Sequence, residues 1–155
     1  MNRIEQVRKT VDNILLNITD NEERRCAYIH LYGVSQSCAL IAQKRKINVE
    51  LAVITGMLHD ISSYATMNSN DHAHKSSVMA RDILKSLDLF NENEIELISV
   101  AIYNHSDKAN VHNELDELLK DADVMQHILY NPLFKIKPKE QHRFNNLVNE
   151  FELNI

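Results

Sequence analysis

The chain has 155 residues, a formal net charge of −5 and a pI near 5.9. This length corresponds to one domain that can bury a core without disulfides or an obligatory metal. This net negative charge argues against binding of bulk nucleic acid, because proteins that bind it usually have a basic surface. The first residues are charged rather than apolar, and no run approaches the roughly 20 apolar residues of a membrane span. We therefore expect a cytoplasmic protein that does not enter a membrane.

Glycine and proline are scarce, with two of each in the chain. The sequence has no alternating strand pattern, and it is rich in residues that favour helices and short connections. We therefore predict an all-α fold, a compact bundle of about six to seven helices. It forms a single domain over residues 1–155, with flanking helices in 1–20 and 139–155.

The first two predicted helices run from Ile4 to about Ile18 and from about Glu22 to Lys44. His30 lies on the inward face of the second, where a lone histidine is more often a hydrogen-bonded core residue than a ligand. Cys26 and Cys38 are about 18 Å apart along this helix at ~1.5 Å per residue, too far for a disulfide. We expect both to be reduced thiols packed in the core. A metal shared by Cys26 and His30 is the less favoured alternative.

The third predicted helix, from Val49 to Asp60, is apolar on nearly all sides, which is typical of a buried helix. Asn48 is a suitable N-cap. The helix ends in His59 and Asp60, and a buried carboxylate requires a partner because an unpaired buried charge costs several kcal/mol or more, as a rough figure. A metal ion would meet this requirement. The polar segment Ile61–Asn70 that follows is predicted to be a flexible lip over the site.

Two further helices each place a histidine on an apolar stripe. His72 extends the inward face of a helix over about 71–87, whereas His74 on the same helix is in phase with polar positions and is expected at the surface. His105 continues the stripe of a helix that runs from Asn91 to His105 itself.

Acidic residues near the end of the chain lie on a helix from about Asn113 to Tyr130. Asp121 and Asp123 flank its apolar face at equal distances, so helical periodicity does not choose between them. The polar loop 106–113 before it has no readable periodicity, and we assign no role to His112.

Four predicted helices thus place histidines inside the fold, and one of them ends in an acid. Imidazole and carboxylate groups together suit Mn, Fe, Co, Ni or Zn. Six nitrogen and oxygen ligands exceed the number that one tetrahedral zinc uses, so two adjacent ions fit better. The candidate ligands are His30, His59, Asp60, His72, His105 and one of the pair Asp121 and Asp123.

The order of these residues resembles the HD-domain superfamily of metal-dependent phosphohydrolases, whose signature is a histidine, a His-Asp pair and a late aspartate. The similarity covers roughly residues 25–131 and includes the segments His72–Leu84 and Leu119–Asp123. It implies an HD-like helical fold, and it selects Asp123 over Asp121 as the ligand. It also implies one or two divalent transition-metal ions, the first held by His30, His59, Asp60 and Asp123, the second by His72 and His105 with Asp60 as the bridge.

The resemblance implies a phosphohydrolase that uses metal-bound hydroxide on a phosphomonoester or phosphodiester, in a nucleotide or another small phosphorylated metabolite. Asp60 and His59 are the implied catalytic residues. No Gly-Tyr-Pro segment follows His105, which argues against the branch that hydrolyses cyclic di-GMP.

Two lysines, each about one helical turn from a proposed ligand, are candidate substrate contacts. Lys75 and Lys120 would bind phosphate, although solvated surface lysines are the simpler interpretation. Two other functions are compatible with the same residues: a non-catalytic metal-binding or regulatory domain, and a di-iron oxygenase of the HD type. The sequence leaves the substrate and the oligomeric state open.

Overall fold

A computed structural model describes residues 2–154, and all regular structure in this range is helical. The predicted all-α class is confirmed. A short 3₁₀ turn, Pro138–Glu140, precedes the last of eight α-helices. The α-helices are α1 (Arg3–Leu15), α2 (Asn21–Arg45), α3 (Val49–Leu58), α4 (Ile61–Thr66), α5 (His72–Leu87), α6 (Glu92–Asn104), α7 (Glu114–Tyr130) and α8 (Gln141–Phe151).

Four of the eight α-helices begin at a side chain that accepts a hydrogen bond from a free backbone amide. The N-cap oxygens of Asn2, Asp20, Asn48 and Asn91 accept hydrogen bonds at the starts of α1, α2, α3 and α6. Asn91 also forms a reciprocal capping box with Glu94. Such caps each contribute about 1 kcal/mol, so the polar residues between apolar stretches define where the helices start.

The two glycines of the chain lie inside helices, and the tight helix ends are made without glycine. Five non-glycine residues adopt the left-handed conformation, which costs roughly 1–2 kcal/mol each. They are Lys46, Met67, Asp71, Asp88 and Glu152, with φ between 51° and 60°. Gly33 in α2 and Gly56 in α3 must therefore serve another purpose, which is close packing.

The helix α2 is the centre of the bundle and packs against α3 on one side and α7 on another. Its buried side chains, including Leu31, Val34 and Ile41, are fully removed from solvent. The helices α5 and α6 form an antiparallel pair, and α6 packs against α3 and α7. This arrangement brings the middle of α2 and α7 to the carboxyl ends of α3 and α6. Within residues 2–154, none of the helices combines the length and the apolar character needed to cross a membrane.

The segment predicted as a flexible lip contains the additional helix α4. Tertiary hydrogen bonds hold it: Ser76 Oγ accepts from the amide of Ser62 at 3.1 Å, and Ser62 Oγ donates to the carbonyl of His72 at 3.3 Å. The helix ends at Thr66, and residues 67–71 connect it to α5.

Candidate metal centre

Asp60 is the central residue of a cluster of histidine and aspartate side chains, which lie at the ends or in the middles of helices. It lies between α3 and α4, and its two carboxylate oxygens face different histidines. Oδ2 is 3.4 Å from His30 Nε2 and 3.5 Å from His59 Nε2. Oδ1 is 3.2 Å from His105 Nε2 and 3.7 Å from His72 Nε2. The carboxylate therefore lies between two pairs of imidazoles.

Asp123 completes one side of this cluster. Its Oδ1 is 3.7 Å from His30 Nε2, and His30 Nε2 is 3.1 Å from His59 Nε2. Asp121, which periodicity could not distinguish from Asp123, instead pairs with Arg45 at 2.8 Å. The structure thus brings together all six residues that the resemblance implied.

Three of the histidines are oriented by the backbone. Each lies near a carbonyl three residues earlier, and because a carbonyl only accepts, the Nδ1 atom must carry the proton. The Nδ1 to oxygen distances are 2.8 Å for His59 to Gly56, 2.7 Å for His105 to Ile102 and 3.2 Å for His72 to Ser69. When neutral, a ring held in this way presents its Nε2 lone pair to the carboxylate, which is the usual arrangement of metal-binding histidines.

The local sequence explains two of these carbonyl partners. The last four carbonyls of a helix have no partner within the helix. Because α3 ends at Leu58 and α6 at Asn104, the carbonyls of Gly56 and Ile102 lack the helical partner four residues later and can accept from the rings of His59 and His105. The carbonyl of Ile102 also accepts from the backbone amide of His105 at 3.3 Å. Ending a helix at each histidine therefore fixes its ring.

His30 is oriented differently, because it lies in the middle of α2 where no backbone carbonyl is free. Its Nδ1 is 3.1 Å from Oε1 of Gln126, a buried residue of α7. The side chain of Gln126 packs on Gly33, where an added Cβ would lie 2.8 Å from its Cγ. Gly33 thus provides the space for the residue that orients His30.

The buried carboxylates are ionised. Burial raises the pKa of Asp60, but His59, His105 and His30 outweigh this effect and hold it well below its usual range. Burial also raises the pKa of Asp123, but the ammonium of Lys108 and the nearby imidazoles lower it strongly. Both residues therefore supply negative charge for a cation.

Several features of the donor set fit divalent ions. Oδ1 of Asp60 is buried without a hydrogen-bond partner among residues 2–154, although His105 and His72 face it. Facing lone pairs repel unless a cation lies between them. Two atoms bound about 2.0–2.2 Å from one ion lie roughly 3–3.6 Å apart at ordinary bond angles, and the separations here are 3.1–3.7 Å. The residues present therefore fit metal ions on both sides of Asp60.

Two residues near the cluster were not found from the sequence. His127 lies one turn after Asp123 on α7, its Nε2 3.8 Å from Asp123 Oδ1, and its ring stacks on His30 at 5.6 Å. It forms a third potential ligand group with His30 and Asp123. Lys108 is buried in the loop after α6 and donates to Asp123 Oδ2 at 2.6 Å.

The two lysines proposed as phosphate contacts are held elsewhere. Lys120 is fully buried, and its ammonium contacts Asn110, His112 and Glu117 rather than the cluster. Lys75 donates to the carbonyl of Asn70 at 2.7 Å and lies on a surface depression with His74. We therefore do not retain either as a substrate contact. The simpler interpretation of Lys120 as a solvated surface lysine was wrong, because its ammonium is buried against the carbonyl of Asn110 and the carboxylate of Glu117.

Tyr64 of α4 lines both of two depressions at the cluster. One, of about 350 Å³, is here called the aromatic pocket, and its lining residues are Cys26, Ile29, His30, Tyr64, Gln126, His127, Tyr130 and Phe134. The other, of about 360 Å³, is called the polar depression and is lined by Glu23, Asp60, Ser63, Tyr64, Met67, Asn68, Ser69 and His72. Cys26, expected in the core, is exposed.

Comparisons with known proteins identify the family and the fold of this chain. The model of the family described as HD domain matches residues 27–127, well over half of the chain. The fold is similar to a crystal structure of a predicted HD superfamily hydrolase from an uncultured Thermotogales bacterium, at 20% identity and a TM-score of 0.64. That similarity covers 96% of this chain and 88% of the other. No protein of curated function matches the sequence. The chain belongs to the HD-domain family.

Proposed function

We propose that this protein is a metal-dependent phosphohydrolase acting on a small phosphorylated molecule. The observation that carries the proposal is the position of Asp60, whose two oxygens face separate pairs of imidazole Nε2 atoms. A carboxylate shared in this way is suited to two adjacent divalent ions, as in enzymes that displace a group at phosphorus.

One ion would be held by His30, His59, Asp60 and Asp123, with His127 near enough to join them, and the other by Asp60, His72 and His105. Bound divalent ions lower the pKa of a coordinated water from about 15.7 to near 7 and neutralise phosphate oxygens.

The protein residues keep this site in position. The carbonyls of Gly56 and Ile102 hold His59 and His105, so that each lone pair points to the carboxylate. Lys108 fixes one oxygen of Asp123 and leaves the other directed at His30. With only two carboxylates in the ligand set, two divalent ions would leave a net positive charge, which favours an anionic phosphate ester.

The test combines metal analysis with enzyme assays. We expect protein purified without chelator to contain manganese, iron, cobalt, nickel or zinc, and to hydrolyse members of a panel of phosphomonoesters and phosphodiesters. Asp60→Asn should lose both metal and activity, because a single change removes charge from both sites. His74→Gln, at an exposed histidine outside the cluster, is the matched control.

Two other results would contradict the proposal and support a different function. Iron together with oxygen-dependent turnover would indicate the di-iron oxygenase. Protein that takes up no metal when it is supplied, or loaded protein inactive on the whole panel, would indicate a non-catalytic domain.

A further inference from the structure

The aromatic pocket adjoins the metal centre directly, since His30 and His127 belong to both. Among the described residues, no lysine, arginine, aspartate or glutamate lines this pocket. The polar depression, which Tyr64 also lines, is different, because it contains Glu23, Asp60 and several hydroxyl and amide groups. The two sides of the centre therefore differ in the chemistry they offer to a substrate.

The walls of the aromatic pocket are suited to a flat, apolar group. Tyr130 is the last residue of α7 and Phe134 lies in the turn that follows it. Their ring centroids are 6.2 Å apart, and 50% and 55% of their surfaces remain exposed. Aromatic rings favour offset or edge-to-face contact with a further ring. A cavity of about 150 Å³ can hold benzene, so the 350 Å³ of this pocket is large enough for a substituted ring.

We propose that the aromatic pocket binds a planar, apolar ring on the alcohol portion of the substrate, so that the protein favours phosphate esters of ring-bearing alcohols or phenols. This inference rests on the proposed phosphohydrolase function. Tyr130 and Phe134 are then specificity-determining residues, and they contact the ring rather than the reacting phosphorus.

The presence of two differently lined depressions at the centre suits this assignment. In a displacement at phosphorus, the attacking and leaving oxygens lie roughly in line, on opposite sides of the phosphorus atom. With the ester group in the aromatic pocket, water can approach from the polar depression. The water oxygen bonds to phosphorus and the bond from phosphorus to the ester oxygen breaks. One water proton ends on the released alcohol and the other on the phosphate.

The test compares benzyl phosphate with ethyl phosphate, whose leaving alcohols are of similar acidity, on the metal-loaded full-length protein. We expect kcat/KM to favour benzyl phosphate by about tenfold to a hundredfold, which corresponds to burying one phenyl ring. In Phe134→Ala and Tyr130→Ala this ratio should fall severalfold. Leu133→Ala is the control, because Leu133 is 91% exposed and outside the pocket, and it should keep the ratio of the unmodified protein.

Binding of phosphonates, which are not hydrolysed, separates this inference from the proposed function. Calorimetry should show tighter binding of phenylphosphonate than of methylphosphonate, and Phe134→Ala should remove the difference. If all esters stay intact but this binding preference is found, the hydrolase proposal fails and the pocket assignment stands. Equal kcat/KM for the two esters, equal binding of the two phosphonates, or no binding of either would overturn the pocket assignment.

Discussion

At the scale of single residues, the pKa values of His30 and His59 are shifted in opposite directions, although their Nε2 atoms are 3.1 Å apart. Complete burial lowers the pKa of His59 to about 4. Burial also lowers the pKa of His30, but the carboxylates of Asp60 and Asp123 more than offset it, and the net pKa is raised above 6.5. In the metal-free protein, these two carboxylates therefore favour a proton on His30, as they would favour a cation there.

This difference predicts how binding of the first ion depends on pH. A metal binds only neutral imidazole, so below the raised pKa of His30 the affinity should fall about tenfold per pH unit. His59, Asp60 and Asp123 have lowered pKa values and add no proton competition near neutrality. Calorimetry of Mn²⁺ binding below about pH 6.5, the ordinary pKa of histidine, in buffers with different heats of ionisation should therefore count about one proton released from this ligand group. Affinity that stays constant as the pH falls below about 6.5 would contradict this assignment.

The residues of the site differ in how far the sequence could predict them. The inward histidines follow from helical phase, and Asp123 was chosen over Asp121 only through family resemblance. His127 could have been found from its position one turn after Asp123. Lys108 could not, because it lies on a loop without periodicity, and its burial depends on contacts with residues distant in the sequence.

At the scale of helices, both glycines allow close contacts of α2 that the site requires. A Cβ at Gly56 of α3 would lie 2.7 Å from the Cα of Ser35 in α2, a contact with backbone. A Cβ at Gly33 would instead meet the side chain of Gln126. Glycine inside a helix costs about 1 kcal/mol relative to alanine. Gly56 is needed for the close contact between two helix backbones, and Gly33 is needed for the contact with a side chain.

The two glycines therefore predict different outcomes for alanine substitution. Gly56→Ala should lower the free energy of unfolding by about 1–3 kcal/mol, because the backbones of α2 and α3 cannot both stay in place. Gly33→Ala should change it by less than about 1 kcal/mol, since a side chain can move and alanine favours the helix. It should instead weaken metal binding about tenfold to a hundredfold by displacing Gln126 from His30. Denaturant unfolding in chelator and metal titration measure the two effects, and a reversed pattern would refute this account.

The helices were largely predictable from the sequence, with the exception of α4. Seven of the eight have an apolar stripe or an apolar run that sequence periodicity reveals. The short α4 is mostly polar, and it is held by contacts of Ser62 with Ser76 and His72 on α5. Such contacts depend on the tertiary fold, which local pattern does not encode.

At the scale of the whole molecule, Arg143 connects the last helix to the loop that holds Lys108. It donates to the carbonyl of Lys108 at 3.2 Å, to Asp121 at 2.9 Å and to Glu117 at 2.8 Å. It is almost fully buried. The terminal helix α8 is thus linked through one side chain to the residue that positions Asp123.

Arg143→Ala should destabilise the protein and loosen this loop. Breaking a buried ion pair costs about 3–5 kcal/mol. We expect about 3 kcal/mol here, because Asp121 and Glu117 keep Arg45 and Lys120 as second partners. Hydrogen exchange should accelerate in residues 106–113. Arg81→Ala, which removes a more exposed pair with Glu96, should cost less than about 1 kcal/mol. Equal losses in the two variants would contradict the role of Arg143.

The position of Tyr64 also bears on how the centre would be loaded. Tyr64 lines both depressions, of which one reaches His30 and His127 and the other reaches Asp60 and His72. If two ions bind as proposed, an ion arriving at one half of the centre need not pass through the other. We therefore expect the proposed centre to be filled stepwise, so that one ion would exchange while its neighbour remains bound.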